Sequence, residues 1–248
     1  MKLRTLSAIF RRELYVLFVS PLAYLLLGAW TLLSGWSFYL LTTYYSAHYA
    51  SASSDHPLSA FFGRTSLFYV PVLIVIPLLS MRLIAEERQR GTFEMLRSAP
   101  ASPSEIVLGK YLAALVFWMA LWLPTLAYPW LLRTHAPLDL GALAASYLGV
   151  FLLGAAYLAL GLWTSTWTRH QLLAALLSFA LLALLFAAGL AESLVEGSVS
   201  AFLSFISVWN HMDAFARGLV DSRTLGFYLT LATLALMFSI RRLEKLNR

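Results

Sequence analysis

The sequence predicts an all-α integral membrane protein with six transmembrane helices in a single domain, residues 1–248. Hydrophobic residues make up 60% of the chain, charged residues only 12%, and the mean hydropathy is +0.74. A soluble domain would carry about 25% charged residues. Six apolar stretches reach or approach the roughly 20 residues that cross a bilayer. The predicted spans are residues 21–45, 67–84, 106–132, 138–163, 172–190 and 225–240.

Residues 1–20 predict an amphipathic helix that lies in the membrane interface. Apolar residues recur at helical spacing with arginines toward the other side, although a simple basic anchor is the alternative. Charges interrupt the stretch too often for a cleavable signal peptide. Ser20 and Pro21 then suit the N-cap and the first position of span one. The apolar positions are Leu3, Leu6, Phe10, Leu14 and Leu17.

The distribution of basic residues predicts the orientation of the chain. When six spans alternate across the membrane, all but four of the 18 Lys and Arg residues fall on the side of the two termini. The positive-inside rule assigns that side to the cytoplasm. The expected location is therefore the bacterial inner membrane, as a multi-pass protein with both termini cytoplasmic. The four outer residues are Arg64, Arg133, Arg217 and Arg223.

Residues 86–105 form an unusually elaborate connection between spans two and three, on the predicted cytoplasmic side. The helix of span two is expected to continue through residues 82–90. Gly91 is then typical of a helix C′ position and Thr92 of an N-cap, so a short helix is expected at residues 93–98.

The third span has its own start signal. Ser102-Pro103-Ser104-Glu105 matches a capping box with proline at the first helical position. A short cytoplasmic helix is thus expected between two rigid helix ends, where it could transmit force between a soluble partner and the membrane helices. The alternative is a solvated charged loop with caps.

The residues from Glu86 to Leu96, reading EERQRGTFEML and followed by Pro100 and Gly109-Lys110, resemble the signature of ABC transporter type-2 permeases. The resemblance is to the branch that contains the gliding-motility and copper-maturation permeases. Residues 209–221, WNHMDAFARGLVD, are similar to a more degenerate stretch before the last span of that branch. With six spans, the resemblance covers essentially the whole chain.

The resemblance implies a partner and a set of docking residues. In that family the segment after span two forms a coupling helix that docks into a separate cytoplasmic ATPase subunit. Two ATPases work with two permeases, and the second permease is another copy of this chain or a paralogue. ATP and Mg would be bound by the partner, and this chain would be neither an enzyme nor a cofactor protein. The implied coupling residues are Glu87, Arg90, Gly91, Thr92, Glu94 and Leu96.

The chain itself lacks a phosphate-binding loop around Gly109-Lys110. The Walker A motif would need glycine at position 104 and serine or threonine at position 111. Those positions hold Ser104 and Tyr111. ATP is therefore expected to be handled by another chain.

Residues 191–224 lie outside the membrane in this topology, yet they are too apolar for an ordinary loop. One helical stripe is expected along Val199, Phe202, Phe205, Ile206 and Trp209, and a second short helix, His211–Arg217, would end at Gly218. The resemblance implies re-entrant helices that cap a translocation path; a pair of interfacial helices is the alternative. The outer gate candidates are Phe202, Phe205, Trp209 and Phe215.

The spans contain few ionisable groups, which argues against an ion-coupled carrier or pump. Gly154, Gly161 and Ser165 would allow close helix packing in span four. Scattered histidines and the absence of cysteine make a metal site a poor hypothesis. We expect an exporter subunit. A scaffold that transmits ATPase motion to a periplasmic protein is the alternative. An intramembrane enzyme is a weaker hypothesis, and no nucleic-acid partner is expected.

Overall fold

The computed structural model describes residues 3–47, 57–91, 101–133, 139–194 and 196–247, and within them the chain is helical with no strand. The α-helices are α1 Leu3–Val19, α2 Pro21–Ala47, α3 Pro57–Ser59, α4 Ser66–Ser80, α5 Ala85–Gln89, α6 Pro103–Trp122, α7 Ala127–Leu132, α8 Leu140–Ser165, α9 Gln171–Ala191, α10 Ser198–Ile206, α11 Val208–Ala216 and α12 Ser222–Asn247. One π-helical turn, Ala60–Arg64, follows α3, and a 3₁₀ turn, Leu123–Leu126, joins α6 to α7.

Five helical stretches are long and apolar enough to cross a membrane: α2, the continuous stretch α6–α7, α8, α9 and α12. Helix α4 is also apolar but has 15 residues. The prediction of an all-helical, multi-pass membrane protein is confirmed.

Two ends of the helical bundle can be told apart by their contacts. At the end that we call the Lys110 end, α1 packs on the start of α6, and the ends of α8 and α12 meet. At the Trp209 end, Tyr69 of α4 stacks on Trp209 of α11 with ring centroids 4.9 Å apart. Helix α4 begins at the Trp209 end, and its last residue, Ser80, lies against Gly161 near the C-terminus of α8.

Helix α8 is the most buried of the candidate spans because its small residues admit neighbouring helices. Gly154 lies directly against the indole of Trp118, whose Nε1 donates a hydrogen bond to the Val150 carbonyl at 3.1 Å. Any β-carbon at Gly154 or Gly161 would overlap a neighbouring side chain. The predicted close packing at these glycines is confirmed.

The helix of span two does not continue unbroken through residues 82–90, so that prediction is wrong. Helix α4 ends at Ser80, residues 81–84 form a turn, and α5 restarts at Ala85. Ile84 leaves helical geometry with φ −128° and ψ −42°. A side chain from α8 takes over the backbone donors freed by this turn, as described below.

The Trp209 end is filled by aromatic side chains. Phe61 and Phe62 of the π-helical turn are buried, and the Phe62 ring stacks on Trp122 of α6. Gly63 lets this turn touch the backbone of α11, because a β-carbon there would lie 2.8 Å from the Asp213 Cα. The segment before α4 is thus part of the packed core.

Residues 198–216 form two helices, and the break between them at Ser207 divides the expected apolar stripe. Helix α10 ends at Ile206, and Ser207 begins α11 by accepting a hydrogen bond from the Asn210 N–H at 3.3 Å. Helix α11 ends at Ala216, and the chain turns at Gly218, which has φ +80° and donates to the Phe215 carbonyl at 2.9 Å. The prediction of an ending at Gly218 is confirmed.

Candidate functional site

Helix α6 begins at the Lys110 end with the predicted capping box. The Ser102 hydroxyl accepts from the Glu105 N–H at 3.4 Å, and the Glu105 carboxylate accepts from the Ser102 N–H at 3.0 Å. Pro103 occupies the first helical position. These local bonds fix where α6 starts, and the start places Lys110 two turns into the helix.

Lys110 is a buried cation held by two carboxylates from other helices. Its Nζ lies 3.0 Å from Glu13 Oε1 on α1 and 2.9 Å from Glu87 Oε1 on α5, and the side chain is 1% exposed. Arg12 approaches Glu87 at 4.0 Å from the solvent side. An isolated charge at this depth would be costly, whereas a fully paired one is tolerated. The three helices α1, α5 and α6 are therefore joined at one atom.

Gly109, the residue before Lys110, permits this approach of α1. A β-carbon on Gly109 would lie 2.8 Å from Ile9 Cγ2, so only glycine lets the two helices pack at this distance. Ile9, Glu13 and Leu17 are the buried residues on this face of α1. The helix predicted for residues 1–20 is present, and its face toward α6 includes a carboxylate.

The start of α5 is capped by a side chain from α8. The fully buried Ser165 hydroxyl accepts from the N–H groups of Ile84 and Ala85, at 3.3 and 3.0 Å. Backbone donors at a helix start have no partner within the helix, so a hydroxyl from elsewhere satisfies them. The turn that interrupts span two is stabilised by α8 in this way.

Glu86 and Arg88 extend the attachment of α5 to both sides. Glu86 accepts from Arg82 at 2.7 Å and pairs with Arg90 at 2.6 Å, and Arg82 also donates to Ser20 between α1 and α2. On the opposite side, Arg88 donates to the Thr166 carbonyl at 2.8 Å. Helix α5 is thus bonded to α1, α6 and α8 and to the connection that follows α8.

The end of α5 is exposed and turns sharply. Gly91 has φ +73°, the left-handed conformation that glycine adopts without strain, as predicted for a C′ residue. A β-carbon at Gly91 would meet no atom within 4 Å, and the Arg90 side chain is 69% exposed. Among the described residues, the end of the firmly held α5 is therefore exposed.

A sequence profile described as "ABC-2 family transporter protein" matches residues 13–241. The chain belongs to the ABC-2 transporter family. It is therefore a membrane-spanning permease subunit of an ABC transporter, as the resemblance of residues 86–96 implied. No curated protein matches the chain.

The ABC-2 permease brings together half of the residues expected to couple to an ATPase. Glu87, Arg90 and Gly91 lie on or directly after α5. The remaining three, Thr92, Glu94 and Leu96, lie outside the described residues.

Sequence reasoning missed the residues that hold α5 in place. No contact was predicted for Glu13, Lys110 was assigned only to the cytoplasmic side and to the permease signature, and Ser165 was expected only to allow close helix packing. One signal was available for Lys110, since it is the eighth residue of a helix of high hydropathy. The two acids that bind it are distant in sequence and could not be assigned from spacing.

The four outer gate candidates lie in different environments. Phe215 is fully buried against Gly149, where a β-carbon would approach the ring to 2.6 Å, and Trp209 stacks on Tyr69. Phe205 contacts the Phe227 ring edge-to-face at 5.8 Å. The Phe202 side chain is among the exposed large apolar groups.

Proposed function

We propose that this permease binds a separate ABC ATPase through residues 86–105 and that α5 passes the movement of the ATPase to the membrane helices. The observation that carries this proposal is the double attachment of α5. Lys110 and Ser165 hold its buried side to α6 and α8, while Arg90 and Gly91 leave its end open. A docking element needs both properties, because it must be reachable and must not move alone.

The buried charges make this attachment stiff. Pulling α5 away from α6 would separate Glu87 from Lys110 and leave buried charges without partners. Breaking a buried pair by loss of one member costs about 3–5 kcal/mol. A push on α5 would therefore displace α1 and α6 together with it, and the contact with Ser165 would carry the same push to α8.

We propose that the chain crosses the bacterial inner membrane six times, with α4 as the second span and both termini cytoplasmic. The 15 residues of α4 rise about 22 Å, short of the roughly 30 Å hydrocarbon core. Residues 81–84 and the buried π-helical turn Ala60–Arg64 extend it at its two ends. An even number of crossings agrees with the clustering of basic residues near both termini.

A second permease copy, or a paralogue, would complete the transporter. Helices α2 and α9 bury the smallest share of their residues among the candidate spans. They correspond to spans one and five, which we propose to move with span two around the contact between permeases. The charge-poor spans suit export of an amphipathic or lipid-linked substrate. ATP and Mg would bind to the ATPase.

The experiment is affinity purification of the full permease from its native membrane, with mass spectrometry to identify a chain that carries Walker A and ABC signature motifs. Gly91→Pro is expected to abolish recovery of this ATPase, because proline cannot adopt φ +73°. Glu94→Lys is expected to do the same by reversing a charge in the proposed docking helix.

Matched controls lie at the opposite end of the bundle. Gly197 is also exposed with φ +84°, and Glu196 is exposed beside it. Gly197→Pro and Glu196→Lys are expected to leave ATPase recovery at the wild-type level. Stoichiometric ATPase with either Gly91→Pro or Glu94→Lys, in a protein that is inserted normally, would contradict the proposal.

A second candidate function is favoured by the surface of α10, on which none of the described side chains is buried. Its Phe202 is 63% exposed. An extracytoplasmic partner could bind there and receive conformational work without any solute transport. Stimulation of ATPase turnover by a periplasmic protein, with no substrate moved, would favour this scaffold role over export.

A further inference from the structure

Three arginines from separate elements meet around the connection between α8 and α9, at the Lys110 end. Arg88 of α5 donates to the carbonyls of Thr166 and Thr168 at 2.8 and 3.4 Å. The guanidinium of Arg242, near the end of α12, lies over the Trp167 ring at 5.8 Å from its centroid. Arg169 belongs to the connection itself. We call Arg88, Arg169 and Arg242 the arginine cluster.

The positive charge of the arginine cluster has no acidic partner within the part of the chain that the structure describes. Nearby Arg82 and Arg90 both pair with Glu86, and Lys110 pairs with Glu87, so the acids of α5 are already engaged. Burial, followed by repulsion from Arg169 and Arg242, lowers the pKa of Arg88. Arginine nevertheless stays charged at neutral pH. The cluster therefore concentrates about three positive charges that an anion could neutralise.

An apolar surface leads directly away from these charges along the membrane helices. Trp167 is 56% exposed and contacts Trp163 edge-to-face, with ring centroids 5.4 Å apart. Phe238 lies one helical turn before Arg242, is 46% exposed, and contacts the Trp163 ring at 5.8 Å. Exposed tryptophan beside arginine is typical of the depth where lipid headgroups lie.

We propose that the arginine cluster binds the phosphodiester headgroup of an anionic phospholipid, whose acyl chain lies along Trp163 and Phe238. Basic pockets between transmembrane helices on the cytoplasmic side suit such headgroups. Guanidinium groups match phosphate oxygens in charge and geometry.

A membrane lipid fits the surroundings better than an acidic surface of a soluble protein. The charged part of the site is followed by an apolar surface along the sides of α8 and α12. A lipid has the same arrangement, with a charged headgroup followed by apolar chains, whereas an acidic protein surface has no such apolar chain. Because Arg88 belongs to α5, the bound headgroup would also contact the element that we propose to couple to the ATPase. Lipid binding itself does not depend on that coupling.

The test is a lipid titration of the full chain in neutral detergent, followed by native mass spectrometry. Phosphatidylglycerol and phosphatidylcholine of equal chain length are compared, with inorganic phosphate as a competing arm. The variant is Arg169→Gln with Arg242→Gln, which spares the hydrogen bonds of Arg88 to the connection. Its control is Arg133→Gln with Arg223→Gln, the same charge change at the other end of the bundle.

The wild type is expected to bind phosphatidylglycerol more tightly than phosphatidylcholine. The Arg169/Arg242 variant should bind phosphatidylglycerol about 25-fold more weakly, at about fivefold per arginine. The control should stay within about twofold of wild type, and melting curves should show both variants folded.

Three results would overturn the proposal. The first is equal affinity for the two lipids, and the second is an unchanged affinity of the Arg169/Arg242 variant. The third is full displacement of phosphatidylglycerol by millimolar phosphate, which would indicate a free-anion site. Loss of ATPase recovery in this variant with unchanged lipid binding would instead assign the cluster to the protein partner and also contradict the lipid site.

Discussion

Lys110 joins three helices through one ammonium group, and its environment contains two carboxylates for a single buried lysine. Arg12, 4.0 Å from Glu87, adds partial compensation from the surface. Removal of the lysine would leave Glu13 and Glu87, whose side chains are 10% and 13% exposed, facing each other without their shared cation. Loss of the Lys110 charge is therefore expected to lower the stability of the folded permease.

Lys110→Met is expected to destabilise the permease by about 3–5 kcal/mol, because two buried carboxylates lose their cation. Thermal unfolding in detergent, followed by tryptophan fluorescence, measures the loss. The triple variant Lys110→Met, Glu13→Gln, Glu87→Gln is expected to recover most of it, since no buried charge remains unpaired. If Lys110→Met alone were as stable as wild type, Lys110 would not stabilise the fold through these two carboxylates.

The contacts of single residues fall into two groups: those between neighbours in the sequence and those between residues that are far apart in the sequence. The capping box at Ser102 and Glu105 and the left-handed Gly91 follow from neighbours in sequence, so they could be predicted. The bonds from Ser165 to Ala85 and from Lys110 to Glu13 join residues that only the tertiary fold brings together. No periodicity in the sequence encodes such pairs.

At the scale of elements, the break after α4 was not predicted, and the break between α10 and α11 was predicted a few residues too late, between Trp209 and His211. Ile84 and Ser207 are ordinary residues in apolar or mixed stretches and carry no proline or glycine signal. The structure supplies a tertiary cap at the first break, from Ser165, and a local serine cap at the second.

The docking of α11 on α12 places His211 among aromatic rings. His211 is buried and contacts Phe227 and Tyr228 at centroid distances of 5.2 and 5.5 Å. Burial lowers the pKa of His211 from its ordinary value near 6.5, and this effect outweighs the contact with the Phe205 backbone and the charge of Asp221. The folded protein thus favours the neutral imidazole.

Stability is therefore expected to fall as the pH drops below about 6.5, because the unfolded chain then takes up a proton that folded His211 resists. Above that pH the contribution is fully present. Between pH 7.5 and pH 5, the melting temperature of His211→Gln should fall by less than that of the wild type. Equal acid sensitivity of the two proteins would contradict this account, since all other titrating groups are shared.

At the scale of the whole molecule, the number of crossings decides which side each segment occupies. The chain contains no cysteine, so single cysteines can report their side without background. Arg4, His170 and Lys245 are exposed near the Lys110 end, whereas Glu196 is exposed near α10.

Glu196→Cys is expected to react with a membrane-impermeant maleimide in intact cells. Arg4→Cys, His170→Cys and Lys245→Cys should react only after the membrane is opened, because six crossings place all three in the cytoplasm. Labelling of Arg4→Cys and Lys245→Cys from opposite sides would indicate an odd number of crossings and would remove α4 as a span.

In the proposed transporter, a separate ATPase contacts the end of α5. A photo-reactive amino acid at position 90, where the native Arg90 side chain is 69% exposed, tests this contact directly in the native membrane. The predicted result is a light-dependent adduct with a separate chain that carries the Walker A motif, and no such adduct from position 223 at the other end of the bundle. Absence of the ATPase adduct from position 90, in cells where the same ATPase copurifies with the permease, would contradict the proposed contact between the ATPase and α5.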